Sequence, residues 1–324
     1  MTHDVVRLYP DVWRIQLPLP FRLKSVNLYL IGDGDDLALF DAGMDTDAAR
    51  DAFDAALKSI GVRLERIGRL FVSHVHPDHV GMSGRLGRAG ARVFLMREEE
   101  PRVRFVWSRE PLTSWKRRFE EHGMPLALAD EAVDAVERIR PAVTIPQRFE
   151  YVRDGDVIDV GRRRLRVKWA PGHSDFLYVL IDDRNRVIFA SDQLLPGITP
   201  NIGLYPECRD NPLKDFLWSL DQFEREVGYA VLPAHGEPYD GLGRRIAELR
   251  GHHRARLDGV LGRVLAGGAD GAAAYEVVRY FWPDGLTPHE IRFAMVEIIA
   301  HLEYLRLDGQ ITLSARPGEA RYKG

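Results

Sequence analysis

Short apolar runs separated by turn-forming residues characterise roughly the first 95 residues of the chain. The runs at residues 25–31 and 37–40 flank a turn rich in Gly and Asp and predict a β-hairpin. Residues 70–72 and 92–96 predict two further strands. Residues 47–60 carry apolar side chains at helical spacing and predict an amphipathic helix. The mixture of strands and helix predicts the α/β class.

The pattern changes at residue 97. Residues 97–141 are charged, aromatic and prone to form helices, and we interpret them as a helical insertion. Strands are predicted again over residues 148–152, 157–160, 165–169, 177–181 and 187–190.

The end of the chain has a helical pattern. Residues 254–265 and 272–281 predict helices, the first with its start near residue 252. A third helix is predicted to begin at Thr287, which opens a capping box. Short apolar runs around Pro317 and Gly318 predict a small hairpin. Three helices followed by a hairpin resemble a winged helix.

Composition narrows the class of protein. The 324 residues are 45% hydrophobic and 29% charged, which is typical of a globular chain and excludes a disordered one. The net charge of −3 provides no positive field for nucleic acid or an anionic membrane. The single cysteine, Cys208, excludes an intrachain disulfide. No signal-peptide pattern and no apolar run of about 18 residues is present, so we expect a cytoplasmic protein without a membrane partner.

Four side chains of the types that bind metal ions lie within six residues, directly after the strand predicted at 70–72. They belong to the segment Ser73-His74-Val75-His76-Pro77-Asp78-His79. Two imidazoles two positions apart can converge on one cation, while the next Asp and His turn towards a second. Zinc and similar ions favour these nitrogen and oxygen ligands, so the segment predicts a metal site.

Three more polar residues follow predicted strands. His173 comes after Pro171-Gly172, Asp192 follows the strand at 187–190, and His235 precedes Gly236. The ends of strands are where α/β sheets place their binding sites. Each residue alone is consistent with an ordinary turn, but together with the His-rich segment they predict one shared site.

The order of these motifs resembles that of the metallo-β-lactamase superfamily. The family has a His-rich loop, then Gly-His, then Asp after a strand and then His before Gly, and all are present within residues 5–240. The resemblance implies an αββα sandwich, in which two β-sheets pack face to face between helices. We therefore expect a catalytic domain over residues 1–240 and a winged-helix-like domain over residues 241–324.

The resemblance also implies a role for each polar residue. It implies His74, His76 and His173 at a first ion, Asp78, His79 and His235 at a second, and Asp192 between them. Asp41, in an Asp-x-Gly strand end typical of the family, is a candidate for orienting a ligand imidazole, with turn capping as the alternative. Zinc is the expected metal, although iron and manganese accept the same ligands.

Two such cations lower the pKa of a shared water, and the resulting hydroxide attacks a carbonyl or phosphorus centre. Asp78 is the candidate catalytic residue, because an oxygen not used for coordination can hold or accept the proton. We therefore expect a hydrolase that uses two divalent ions and needs no serine or cysteine nucleophile.

The substrate class is narrowed by Asp192, because the penicillin-cleaving branch of the family usually lacks this carboxylate. It is typical of glyoxalase II-like thioesterases, lactonases and ribonucleases. Residues 190–202 and the C-terminal helices resemble the subgroup of the β-lactamase-like endoribonuclease, which includes acyl-carrier and acyl-CoA thioesterases in other branches. We expect a thioester, of acyl-CoA or glutathione type, or a lactone as the substrate, with an endoribonuclease as the alternative.

Local charge bears on the partners. Residues 286–324 carry five basic and five acidic side chains, which disfavours duplex binding and hence a nucleic-acid-binding regulator, the third interpretation. Residues 244–256 carry five arginines and one glutamate. Within this segment His253 and Arg254 are candidates for binding phosphates of coenzyme A or short RNA, and a solvated helix face is the alternative.

The insertion lies between the His-rich loop and His173 along the chain. Its aromatic side chains favour an apolar wall over the metal site, suited to an acyl group. An interface in a homodimer is the alternative.

Overall fold

Two β-sheets hold almost all of the strands. The computed structural model describes residues 5–316 and 319–324, so Pro317 and Gly318 lie outside the described residues. The first sheet contains, in spatial order, β1 (Val5–Tyr9), β2 (Val12–Pro18), β3 (Ser25–Asp33), β4 (Asp36–Phe40), β5 (Ile67–Phe71), β6 (Arg92–Met96) and β7 (Glu150–Val152). The second contains β8 (Val157–Val160), β9 (Arg163–Trp169), β10 (Tyr178–Asp182), β11 (Val187–Ser191) and β12 (Ala230–Pro233).

Helices follow the strands in three groups. The first group is α1 (Asp47–Ser59), α2 (Pro77–Val80) and α3 (Ser83–Arg88), and the insertion forms α4 (Glu100–Val106), α5 (Thr113–Glu121) and α6 (Leu126–Glu137). The last group is α7 (Pro212–Gln222), α8 (Leu242–Ala266), α9 (Ala274–Phe281) and α10 (Pro288–Leu307), before the hairpin β13 (Thr312–Arg316) and β14 (Glu319–Lys323). In the described part of the chain, no helix combines the length and apolar composition that a membrane span requires.

Aromatic side chains fill the space between the two sheets. Phe40 from β4 meets Tyr178 and Phe189 from the second sheet, with ring centroids 6.1 and 6.4 Å apart. Tyr29 from β3 meets the edge of Phe189 at 5.6 Å. All four side chains are buried, so this layer joins the sheets through a continuous apolar core.

Helices cover the outer faces of the sheets. α1, the insertion and α10 belong to one apolar cluster with the outward side chains of the first sheet. α7 and the first half of α8 cover the second sheet, where Phe216 and Leu249 pack with Ile188. The predicted αββα sandwich with a helical insertion and a C-terminal helical region is therefore confirmed.

One predicted boundary is wrong: α8 begins at Leu242 and not near residue 252. The additional turns bury Leu242, Ile246 and Leu249, whose spacing is helical. Two arginines, one glutamate and one glycine between these positions obscure the apolar stripe in the sequence. The arginine-rich segment 244–256 therefore lies entirely within one helix.

A buried histidine of the insertion, which contacts the C-terminal hairpin, makes stability depend on pH. His122 follows α5 and stacks on Tyr322, with ring centroids 5.9 Å apart. Burial lowers the pKa of His122 to about 4, with a smaller contribution from Arg118. An unfolded histidine has a pKa of about 6.5, so the unfolded chain binds more protons between these values and stability falls as the pH is lowered.

We expect the substitution His122→Phe to remove this pH dependence while keeping the stacked ring. Between pH 7.5 and 5 the free energy of unfolding of the unsubstituted protein should fall by about 2 kcal/mol more than that of the variant. Denaturant unfolding at both pH values measures the difference. An equal fall in the two proteins would show that His122 does not titrate in this way.

Candidate metal centre

The polar residues of the predicted site lie where strands of both sheets end. β4 and β5 are parallel neighbours, so Asp41 and the loop that begins at Val72 leave the first sheet at the same edge. β11 and β12 are also parallel, so Asp192 and His235 leave the second sheet side by side. The backbone N–H of Asn27 in β3 donates to Ala234 at 2.7 Å and joins the two edges. The site is therefore built across the junction of the sheets.

The backbone is unusual at this edge. Asp41 and Ser191 have φ angles of 65° and 47°, in the left-handed region that residues other than glycine rarely adopt. Gly172 has a φ angle of 129°, and a Cβ atom there would lie 2.4 Å from the Cβ atom of Phe216. The glycine before His173 is thus required by the close approach of α7. Backbone strain of this kind is concentrated at functional sites.

Three imidazoles and one carboxylate form a first cluster. Nδ1 of His76 lies 2.9 Å from Nε2 of His74 and 2.9 Å from Nε2 of His173. Oδ2 of Asp192 lies 3.2 Å from Nε2 of His173. Tetrahedral ligands of a zinc ion lie about 3.3 Å from one another, so these separations are of the size that one ion requires.

One carboxylate and two imidazoles form a second cluster. Oδ2 of Asp78 lies 3.3 Å from Nε2 of His235 and 3.7 Å from Nε2 of His79. Asp192 faces this cluster as well, with Oδ1 3.3 Å from Nε2 of His235 and Oδ2 3.4 Å from Nε2 of His79. The structure therefore brings all seven predicted ligands together and places Asp192 between the two clusters.

The far nitrogen of several imidazoles has a hydrogen-bond acceptor. The Nδ1 atoms of His79, His173 and His235 contact Oδ2 of Asp41 at 2.8 Å, the carbonyl oxygen of Asn201 at 2.9 Å and that of Ser25 at 2.8 Å. An Nδ1–H that donates in this way leaves the lone pair on Nε2, which faces the cluster. Asp41 thus lies where a residue that orients a ligand imidazole belongs.

Buried carboxylates control the electrostatics of the second cluster. Burial lowers the pKa of His79, but the charges of Asp192 and Asp41 outweigh it and hold that pKa well above its ordinary value. Burial opposes the same effect at His235, where Asp192 and Asp78 raise the pKa to about 9. Without a metal ion, protons on these imidazoles supply the countercharge, and a bound cation replaces them.

In the first cluster, the pKa values of two imidazoles are lowered and not raised. Burial, followed by the charges of neighbouring imidazoles, lowers the pKa of His74 and of His76 well below the ordinary value. Both rings are therefore neutral at physiological pH. A neutral imidazole offers the lone pair that metal coordination requires.

Two buried polar atoms show whether the chemistry of these residues suits metal ions. Nε2 of His79 and Oδ1 of Asp192 have no hydrogen-bond partner among the described residues. A buried polar atom without a partner destabilises a protein, and a cation between these atoms would satisfy both. The nitrogen and oxygen ligand set is also one that zinc, iron and manganese accept. The cluster is therefore suited to divalent metal ions.

Two predicted substrate-binding residues are not brought to this site. His253 is buried, and its Nδ1 atom lies 3.2 Å from Nε2 of His301 in α10. Arg254 is exposed, and both residues line a surface groove beside Trp218 and Asp308. α8 packs on the outer face of the second sheet, and this position keeps both residues away from the predicted ligands.

A cavity of about 300 Å³ opens over the two clusters. Its walls are predominantly apolar and come from the β2–β3 loop, the insertion and α10. The insertion contributes Trp107 and Trp115, and α10 contributes Phe293. The sequence indicated the aromatic wall of the insertion, but no local pattern indicated that the C-terminal helix would complete the cavity.

Sequence reasoning missed Glu99, which contacts two of the loops that carry candidate ligands. It is buried at the start of the insertion and accepts hydrogen bonds from the N–H of Val75 at 3.0 Å and from the hydroxyl of Ser174. One contact is beside His74 and the other beside His173, so Glu99 holds two ligand loops together. Burial raises the pKa of Glu99, although the charge of Arg102 opposes this.

Comparison with known proteins agrees with this geometry. Residues 22–250 match the family described as the Metallo-beta-lactamase superfamily, and residues 261–323 match the Metallo-beta-lactamase-like C-terminal domain. The chain belongs to the metallo-β-lactamase superfamily and is a metal-dependent hydrolase by class.

Individual relatives cover nearly the whole chain. A crystal structure of a metallo-beta-lactamase family protein from Thermus thermophilus superposes with a TM-score of 0.87 at 37% identity, covering 98% of this chain and 99% of that one. The probable metallo-hydrolase YqjP of Bacillus subtilis is 27% identical over 93% of this chain and 94% of its own length. The atrochrysone carboxyl ACP thioesterase of Emericella nidulans is 23% identical, with coverages of 93% and 80%.

We expect Asp41→Asn to weaken metal binding about 10- to 100-fold, because the amide no longer provides a negative charge beside His79. Asparagine has nearly the same shape and tolerates the left-handed backbone at this position. Competition with a chromophoric chelator measures the affinity for zinc. Asp33→Asn, at a partly exposed residue that pairs with exposed Arg162, is the matched control and should bind as the unsubstituted protein does. Equal affinities in all three proteins would contradict the role of Asp41.

Proposed function

We propose that the protein is a dinuclear metal-dependent hydrolase of small carbonyl esters, with a thioester or a lactone as substrate. The observation that carries this proposal is the apolar cavity directly over the two clusters. A cavity of this size accepts a small acyl group and excludes a folded nucleic acid. The ligands in this proposal are His74, His76 and His173 for one ion, Asp78, His79 and His235 for the other, and Asp192 for both.

Divalent ions held by these residues would supply Lewis acidity and a low pKa for water at neutral pH. Asp78 lines the cavity and directs Oδ2 towards His235, which leaves Oδ1 to accept the proton of the attacking water. Burial raises the pKa of Asp78, but the charges of His79 and His235 outweigh it and keep the pKa below its ordinary value. The carboxylate is therefore ionised and ready to act as a base.

The walls orient the substrate and exclude water. The indole N–H of Trp107 donates to the carbonyl oxygen of Val75 at 2.7 Å, which holds this ring beside the His-rich loop. The indole N–H of Trp115 donates to Oε2 of Glu207 at 2.8 Å, which holds this ring in the same way. Rings fixed in this way provide a preformed apolar surface for an acyl chain.

An endoribonuclease is the alternative, and the charges of the cavity do not favour it. Of the three arginines that line the cavity in the described structure, Arg22 pairs with Glu290 and Arg102 faces Glu207 at 3.6 Å. An RNA strand brings one negative charge with each nucleotide and is bound through several free cations. The relative from Emericella nidulans, which carries a thioesterase name, also supports the acyl substrate. The cytoplasmic location, zinc as the metal and a homodimer stay predictions.

We expect the purified protein with bound metal to hydrolyse acyl thioesters or lactones and to leave single-stranded RNA intact. Asp192→Asn should lower the hydrolysis rate by more than about 100-fold, because it removes the charge shared by both clusters. Initial rates with acyl-CoA, N-acetylcysteamine thioesters and lactones measure this.

Asp183→Asn is the matched control for this experiment, since Asp183 is exposed and pairs with Arg166 on the outer side of the second sheet. It should retain the full rate. Cleavage of RNA that Asp192→Asn abolishes, with every thioester and lactone untouched, would establish the alternative instead.

A further inference from the structure

One cation in the cavity wall forms no ion pair within the described part of the chain. Arg292 of α10 lines the same cavity as the metal-binding clusters and is only 7% exposed. In the described part of the chain, no ion pair joins its guanidinium to a carboxylate. The other two cavity arginines both face glutamates, so Arg292 is the exception among them.

The surroundings of Arg292 are aromatic. Its guanidinium carbon lies 3.9 Å from the ring centroid of Phe293 and 6.0 Å from that of Trp115. Its Nε atom is buried without a hydrogen-bond partner among the described residues. Burying a charge without a paired anion costs free energy, and cation–π contacts offset only part of that cost. An arginine kept in such a position is suited to an anion that arrives from outside.

A second donor lies beside the guanidinium. Nη1 of Arg292 donates a hydrogen bond to the hydroxyl oxygen of Tyr205 at 2.6 Å. The proton of that hydroxyl then remains free to donate to a ligand. Tyr205 also lines the cavity, and its buried phenol has a raised pKa, chiefly from desolvation, so it stays protonated at neutral pH. The pair therefore offers two adjacent donors and one positive charge.

We propose that Arg292 and Tyr205 bind a carboxylate on the acyl part of the substrate, away from the carbonyl that is hydrolysed. This inference rests on the proposed hydrolase function, and it makes the substrate an acidic acyl thioester or a lactone with a carboxylate. A guanidinium matches the planar, two-oxygen shape of a carboxylate. The apolar part of the cavity lies between the two clusters and Arg292. It accommodates the carbon chain or ring that joins the hydrolysed carbonyl to the carboxylate.

The first test measures binding and does not depend on turnover. Succinate, glutarate and adipate are titrated against butyrate, valerate and hexanoate, the monocarboxylates of equal length, in the full-length protein with bound metal. The fluorescence of the cavity tryptophans reports binding. Each compound offers one carboxylate to the metal centre. The difference in affinity between a dicarboxylate and the monocarboxylate of equal length therefore measures the contribution of the second carboxylate. We expect the best dicarboxylate to bind about 10- to 100-fold more tightly than its partner.

Variants assign this difference to the two residues. In Arg292→Met the dicarboxylate and its monocarboxylate partner should bind about equally. In Tyr205→Phe the ratio of their affinities should be about three to ten times smaller than in the unsubstituted protein. Arg292→Lys should retain part of it, because the charge remains without the planar fork. Arg306→Met is the matched control, because Arg306 lies on the same helix but pairs with Glu303. If Arg292→Met does not fold, Tyr205→Phe and Arg292→Lys decide the question.

The kinetic arm separates acyl carboxylates from the phosphates of a thiol carrier. Glutaryl and pentanoyl N-acetylcysteamine thioesters carry no phosphate, and Arg292→Met should lower kcat/KM about 10- to 100-fold for the glutaryl compound only. If Arg292→Met instead lowers kcat/KM for pentanoyl-CoA and for neither N-acetylcysteamine thioester, Arg292 binds a phosphate of the carrier. That result would overturn the inference.

The two proposals fail in different ways. No preference for dicarboxylates in the unsubstituted protein, or an equal preference after Arg292→Met, overturns the role of Arg292 even if thioesters are hydrolysed. Preferential dicarboxylate binding that Arg292→Met abolishes, with no thioester or lactone hydrolysed, supports the anion site and overturns the proposed reaction.

Discussion

The need to neutralise buried carboxylates governs the site of this protein. Asp41, Asp78 and Asp192 are brought among imidazoles where the ends of strands from two sheets meet. Charges removed from water must be balanced by protons or cations. The raised pKa of His235 is a consequence of this requirement. So is the position of Nε2 of His79 and Oδ1 of Asp192, which are buried without a hydrogen-bond partner among the described residues. The same requirement makes the edge of the sandwich a place for divalent ions.

The C-terminal helices help to enclose a cavity at this edge of the sandwich. Asn201 accepts a hydrogen bond from His173 through its carbonyl oxygen, while its side-chain amide donates to Glu297 of α10 at 3.0 Å. One residue thus connects an imidazole of the candidate metal centre to the helix that carries Arg292. The insertion supplies the opposite wall. Much of the cavity wall therefore comes from parts of the chain that lie outside the two sheets.

Much of the fold and of the candidate ligand set can be predicted from local sequence. Alternating apolar positions and turn residues predict the strands and α1, because these depend on neighbours in the chain. Residue types and the strand pattern predict the candidate site, and the family resemblance implies the role of each residue. The structure brings the seven candidate ligands and Asp41 together. The start of α8 shows the limit of this reasoning, since arginines obscure an apolar stripe that is recognisable only once the helix packs on the second sheet.

Tertiary structure alone decided which residues face the cavity. His253 and Arg292 both lie on C-terminal helices and both carry chemistry that suits an anion, yet His253 packs against His301 and Arg292 lines the cavity. Helical periodicity determines which side chains share a face, but the neighbour of that face is determined by packing between distant segments. The contact between Arg292 and Tyr205 joins residues 87 positions apart, and no local pattern encodes such a contact.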